Sequence, residues 1–197
     1  SSSPLGDRNL LVLQGRTHLY EGRGIAAVVH GVRTAAAAGC RAIVLTNAAV
    51  SPKVLKAALS EVADSTFNMV TVDGDTSTND SLFVMASGAT GGAAIDKTSG
   101  RRFEKFVAGL YEISMSLSRQ IAADGEGATK LVKIRVVNAK KRKDAVAAAR
   151  TVAESPLVKT AMFGNDPNWG RIIMAVGRSP AKVDESKVSL TLCGKRM

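Results

Sequence analysis

The chain has 197 residues, 45% of them apolar and only 4% aromatic, with a formal net charge of +10. This is enough apolar residue to bury a core, which excludes a disordered chain. No stretch of 18 or more uninterrupted apolar residues occurs, so no membrane-spanning helix is expected.

Asn9–Gly15 (NLLVLQG) is a short apolar run closed by glycine and predicts a buried strand. Gly24–Gly39 places apolar residues at helical spacing and stops at a glycine. Cys40–Ala48 (CRAIVLTNA) is a second apolar strand. Strand, helix and strand in about 40 residues predict a βαβ unit with parallel strands. Ser51–Phe67 follows as a helix, with Ser51 to cap it, Pro52 at its first position, and a stripe of Val54, Leu55, Ala58, Leu59 and Val62. Asn68–Val72 and Ser81–Gly88 predict strands on either side of a polar loop, Asp73–Asp80. A flexible loop, Ala89–Gly100, leads to a long amphipathic helix from Arg101 to Ala123.

Lys130–Val137 alternates apolar and basic residues as a half-exposed strand does. Lys143–Gly164 predicts a helix broken near Ser155-Pro156, because the residue before a proline avoids helical backbone. Asp166–Ser179 opens another helix and Lys187–Gly194 a last strand. The chain begins without methionine and ends just past that strand, which reads as a trimmed start and a C-terminal truncation. With two cysteines, Cys40 and Cys193, there is no disulfide framework or metal spacing, and a cytoplasmic protein is the default.

Several stretches carry chemistry. The loop GDTSTND (Gly74–Asp80) is a hydrogen-bonding hub that suits a buried, internally satisfied turn, while Asp73, Asp75 and Asp80 offer the oxygen ligands a hard cation takes. DGEGATK (Asp124–Lys130) holds Glu126 between two glycines, where it terminates a helix or pairs with a substrate ammonium. In GNDPNWGR (Gly164–Arg171), Asp166 or Asn165 is placed to cap, Trp169 to enter the core, and Arg171 to bind an anion or tie the loop down. Arg16 and His18, two apart after a strand, face one side of an extended segment and suit a phosphate. The dense basic run Lys140–Lys143 lacks interleaved aromatics and reads as a solvated turn, so no nucleic-acid partner is expected.

Ser65–Asp80 (STFNMVTVDGDTSTND), Arg119–Val136, Glu154–Ser179 and the closing strand together resemble the β-chain of the ornithine acetyltransferase (glutamate N-acetyltransferase) family of arginine biosynthesis. The resemblance implies an α/β fold, a layered αβ domain like that β-chain over residues 50–197, preceded by the short βαβ segment at 1–49. It implies acetyl transfer from N-acetylornithine to glutamate through an acyl-enzyme, a small amino-acid substrate, no cofactor, and an α-chain or further copies of the chain as partners. Glu126 matches the family's substrate-binding acid. The family cuts itself before a threonine that becomes the nucleophile, with its own amine as base. Counting back from Asn47 by the family's spacing gives Gly39, so that threonine is missing, and Cys40 beside it is the only substitute nucleophile.

Residues 9–49, above all GRTHLYEG (Gly15–Gly22) and LTNAA (Leu45–Ala49), are similar to trimeric purine nucleoside phosphorylases. That resemblance implies phosphate held by Arg16, His18 and the turn at Ala48, with Asn47 lining the pocket and Tyr20 over a sugar. The two families are unrelated, so the chain reads as a chimera joined near residues 48–50. Three functions stay open: an acetyltransferase β-chain inactive by itself, a phosphorylase fragment, and a non-catalytic interaction module on an acetyltransferase-like scaffold.

Overall fold

Apolar runs that are too short for a helix can be buried on both faces only inside a sheet. Ala42–Thr46 (β3) is such a run, and all five residues are buried. In the computed structural model, which describes residues 2–5, 8–14, 42–76, 80–125 and 127–197, β3 lies inside a four-stranded sheet of order β1-β2-β3-β4. The outer strands are β1 (Ser2–Leu5) and β4 (Leu82–Ala86), and β2 (Arg8–Gln14) pairs with both β1 and β3. Pro4 in β1 is in keeping with an edge strand, since proline cannot donate to a ladder.

β2 runs antiparallel to both neighbours, with Leu10 opposite Thr46 and Gln14 opposite Ala42. This corrects the expected βαβ unit. A parallel pair requires a long crossover, but a long connection does not require a parallel pair. The parallel pair is instead β3 with β4, from Ala42 opposite Leu82 to Thr46 opposite Ala86. The predicted helix at 24–39 lies outside the described residues.

The described residues fall into two compact units, one within Ser1–Val70 and Thr76–Ile121, the other Thr71–Asp75 with Ala122–Met197. In the first, α1 (Pro52–Ser65) starts with Pro52 at its first turn and buries Val54, Ala58 and Val62, four apart along one face. α2 (Arg101–Ala123) has the predicted bounds and buries Phe103, Phe106, Leu110, Ile113 and Leu117 at alternating spacings of three and four. These side chains form one core with Ala42, Val44 and Ala48, and Ala58 is fully buried within it.

The strand expected at Asn68–Val72 is not formed. Thr66 Oγ1 donates to the Val62 carbonyl at 2.7 Å, and the amides of Met69 and Val70 donate to Thr66 and Phe67. Phe67–Met69 is therefore a 3₁₀ turn, since local i to i−3 bonds have taken the groups a ladder would need.

The second unit stacks α3 (Arg142–Glu154), α4 (Pro156–Phe163) and α5 (Trp169–Arg178). The helix break falls at Ser155, as expected, and its Oγ accepts from the Val158 amide. Val152, Val158, Ile172 and the fully buried Ala175 make the core, with Ile134, Leu190 and Leu192 packed against it. The expected C-terminal strand shrinks to a hairpin, β5 (Thr191–Leu192) with β6 (Lys195–Arg196). Its two-residue turn has positive φ at both Cys193 and Gly194, the backbone that matches the twist of a tight hairpin.

Lys130–Val137 forms no strand, because no described residue pairs with it. Trp169 is 54% exposed and does not enter the core. It is the first residue of α5, a turn before Ile172, where the buried face begins. The basic run Lys140–Lys143 is exposed, as expected. Among the described residues no helix is long and apolar enough to cross a membrane.

Candidate functional site

In sheets with parallel strands, the crevice beyond the carboxyl ends is the usual ligand position. β3 and β4 end side by side at Thr46 and Ala86, and the chain beyond them stays paired. The Ser87 amide donates to the Thr46 carbonyl at 2.9 Å, and Ile95 donates to Ala49 at 2.8 Å. Thr90 donates twice to the Asn47 carbonyl, from its amide at 3.0 Å and from Oγ1 at 2.9 Å. Gly88, Gly91 and Gly92 all have positive φ with open space where a Cβ would sit, so backbone handedness and not crowding calls for glycine there.

Ala48 sits in this turn, 4% exposed, and its amide donates to Thr46 Oγ1 at 3.2 Å. Asn47 Oδ1 is buried and accepts from no donor among the described residues. A buried acceptor left so costs about 1–3 kcal/mol, a cost that a donor from a bound molecule would remove.

Four residues after Asn47, α1 opens uncapped at Ser51. Ser51 makes no side-chain cap bond and the first turn holds no acid. Pro52 has no N–H, and the amides of Lys53 and Val54 find no acceptor among the described residues. The positive end of the helix and the exposed Lys53 suit a negatively charged group. A strand-end turn with one orphaned acceptor and an uncapped helix start can thus hold a small molecule that carries both a donor and a carboxylate. A second concavity, lined by Val62, Phe103, Glu104 and Tyr111, opens between α1 and α2. It starts at Glu61, ten residues or about 15 Å along α1 from Ser51, and belongs to the helix flanks.

Of the residues singled out by the two resemblances, Asn47 and Ala48 are described at this turn. Arg16, His18, Tyr20, Cys40 and Glu126 lie outside the described residues. Next to Glu126, Gly127 has φ of 69°, and the Ala128 amide donates to Gly125 at 2.9 Å. The described part of GDTSTND is exposed instead of buried, held by the Asp75 amide donating to Asp73 Oδ1 at 2.8 Å. Among the described residues no three His, Cys, Asp or Glu side chains come together as metal ligands. Arg171 ties the helices, its guanidinium donating to the Leu157 carbonyl and to Thr160 Oγ1 at 3.0 and 3.1 Å. The cap of α5 is neither Asp166 nor Asn165 but Asn168, whose Oδ1 accepts from the Arg171 amide. Sequence reasoning missed Thr46 and Thr90. A hydroxyl two residues before a small residue at the end of an apolar strand is the local signal for the first, while the second acts over 43 residues and has no local signal.

The profile of the ArgJ family matches residues 26–197. The chain belongs to the ArgJ family. The arginine biosynthesis bifunctional protein ArgJ of Caulobacter vibrioides is 48% identical over 149 residues, covering 76% of this chain and 37% of that protein. The ArgJ of Thermus thermophilus is 46% identical over 153 residues, covering 78% and 38%. The crystal structure of ArgJ from Bacillus halodurans superimposes with a TM-score of 0.75 at 40% identity, covering 78% of this chain and 72% of that one. The α/β fold is therefore the ArgJ fold, as the motifs implied. The chain spans little more than a third of the length of the curated ArgJ relatives named here. The family match begins at residue 26, upstream of the join expected near 48–50, so the ArgJ likeness continues into the segment read as phosphorylase-like. The phosphorylase resemblance and the chimeric reading gain no support from these matches.

Proposed function

We infer that this chain is the β-chain-like part of an ornithine acetyltransferase of arginine biosynthesis, and that by itself it does not turn over. What supports the first half is the ArgJ family match across residues 26–197. In the reaction this implies, a nucleophile attacks the acetyl carbonyl of N-acetylornithine, ornithine leaves with its amine protonated, and the glutamate amine then takes the acetyl group from the acyl-enzyme. Each step needs a side-chain nucleophile at the position that falls on Gly39, and glycine has none. Cys40 would serve only after cleavage following Gly39.

The small molecule is an amino acid, a class that combines a carboxylate with an ammonium. The uncapped start of α1 suits the carboxylate, and Asn47 Oδ1 suits a donor. Glu126 carries the pairing with an ammonium. An α-chain or further copies of this chain complete the enzyme, in the cytoplasm.

Incubation of the isolated chain with N-acetylornithine and glutamate is the test. No N-acetylglutamate is expected, whereas N-acetylornithine should still raise the thermal midpoint, and Glu126→Gln should abolish that rise. Formation of N-acetylglutamate would overturn the inactive reading. An unchanged midpoint would overturn the substrate assignment.

A further inference from the structure

Glu126 falls, by sequence, within a turn that one helix holds from both sides. The turn runs from Gly125 to Ala128 and is closed by the Ala128 amide donating to the Gly125 carbonyl at 2.9 Å. On its near side Gly125 packs on Val72, so closely that a Cβ at Gly125 would meet Val72 Cγ1 at 3.1 Å. Val72 is pinned in turn by α4, whose Lys159 ammonium donates to the Val72 carbonyl at 2.5 Å. On the far side the Lys130 ammonium donates to the carbonyls of Met162 and Phe163, at 2.5 and 3.0 Å, and to Asn165 Oδ1 at 2.5 Å. Met162 and Phe163 are the last residues of α4, where a helix carries its negative end. The helix is itself anchored by its buried Val158 and Ala161.

An ammonium has three protons, and those of Lys130 meet three acceptors. Lys130 is thereby committed to α4 and is not a ligand for a substrate carboxylate. Its work is to fix the chain two residues past the turn. A turn that contains two glycines is costly to order, since glycine loses the most backbone freedom of any residue. We propose that Lys130 is a positioning residue for Glu126. By tying the chain after the turn to the last carbonyls of α4, it orders, in advance of binding, the acid that takes the ammonium of the amino-acid substrate. Lys159 supports the other side of the turn through Val72 and Gly125. The inference rests on the ammonium pairing given to Glu126 above.

The full chain is titrated calorimetrically with N-acetylornithine and with N-acetylnorvaline, which lacks only the side-chain amine. The wild type should prefer N-acetylornithine, and Glu126→Gln should remove that preference. Lys130→Met should lower the preference about tenfold, the cost of ordering one further residue on binding, and leave N-acetylnorvaline binding unchanged. Lys130→Arg keeps the charge and the donors and should restore part of the loss. In the Glu126→Gln background Lys130→Met should change nothing more, as befits a residue that acts through Glu126. Should circular dichroism show Lys130→Met unfolded, Gly125→Ala carries the same expectation, because its methyl group displaces Val72. A preference lost in Glu126→Gln but intact in Lys130→Met would overturn this inference and leave the substrate reading standing. Equal weakening of both ligands, or additive losses in the double variant, would overturn it too, since a merely structural residue behaves in that way. No preference in the wild type, or none lost in Glu126→Gln, would overturn the ammonium reading and this inference with it.

Discussion

Asp184 collects three donors in three residues. Lys187 donates its ammonium to Oδ2, and Ser186 gives both its hydroxyl, at 2.7 Å, and its amide, at 3.2 Å, to Oδ1. The Lys187 ammonium first, and the Ser186 hydroxyl second, hold the carboxyl below its ordinary value. A pKa depressed by folding means that the ionised form stabilises the fold above the ordinary aspartate value of about 3.9, and that this is lost as the pH falls through the lower folded value. The group is exposed, so its weight in overall stability is small and salt-sensitive. An NMR titration should place the Asp184 midpoint below that of an ordinary aspartate, and Lys187→Met should move it upward. A wild-type midpoint at the ordinary value would mean the contacts do not persist in solution. At this scale the sequence was only partly legible. For Arg171 the sequence leaves an anion ligand and a tie equally open, and the acceptors on Leu157 and Thr160 make it a tie. Trp169 was misread as core because size and apolarity favour burial only where a core exists to receive the side chain, and α5 begins before its core does.

Helices were read better than strands, for a physical reason. The bounds of α2 follow from periodicity within its own 23 residues, and the break between α3 and α4 follows from one Ser-Pro pair. A strand exists only with a partner, and the partner is not written in the strand. Asn68–Val72 has β-branched residues, yet Thr66 draws it into a turn, and Lys130–Val137 alternates from Val132 to Val136, with Leu131 and Val132 confusing the phase, but pairs with nothing described. The direction of β2 against β3 is likewise a property of the return path. The energetics of α2 are more predictable. Leu110 is 3% exposed at the centre of its buried stripe, so Leu110→Ala should destabilise the fold by about 2–5 kcal/mol in denaturant unfolding. The same truncation at Leu131, 52% exposed, should change little. Comparable losses at the two positions would mean that the α2 stripe is not the core.

At the scale of the whole chain, family and fold were legible because long motifs in order survive where single residues do not. The candidate site was less so, since its hydrogen bonds join Thr46 and Asn47 to a loop some 40 residues later. Covalent integrity is also a whole-chain property. With glycine where the family's threonine is expected, the chain should not cut itself. Its intact mass should be that of the uncut polypeptide, about 20.5 kDa, after prolonged incubation. A fragment beginning at Cys40 would reverse that. Ala58 and Ala175 are each completely buried, in different cores, with no accessible surface left on either. Neither site can lose volume to any appreciable extent, and neither can gain it without displacing its neighbours. Sequence drift at these two positions is thereby confined to glycine, alanine and serine, so the molecule's tolerance to change is bounded by its smallest side chains as much as by its largest.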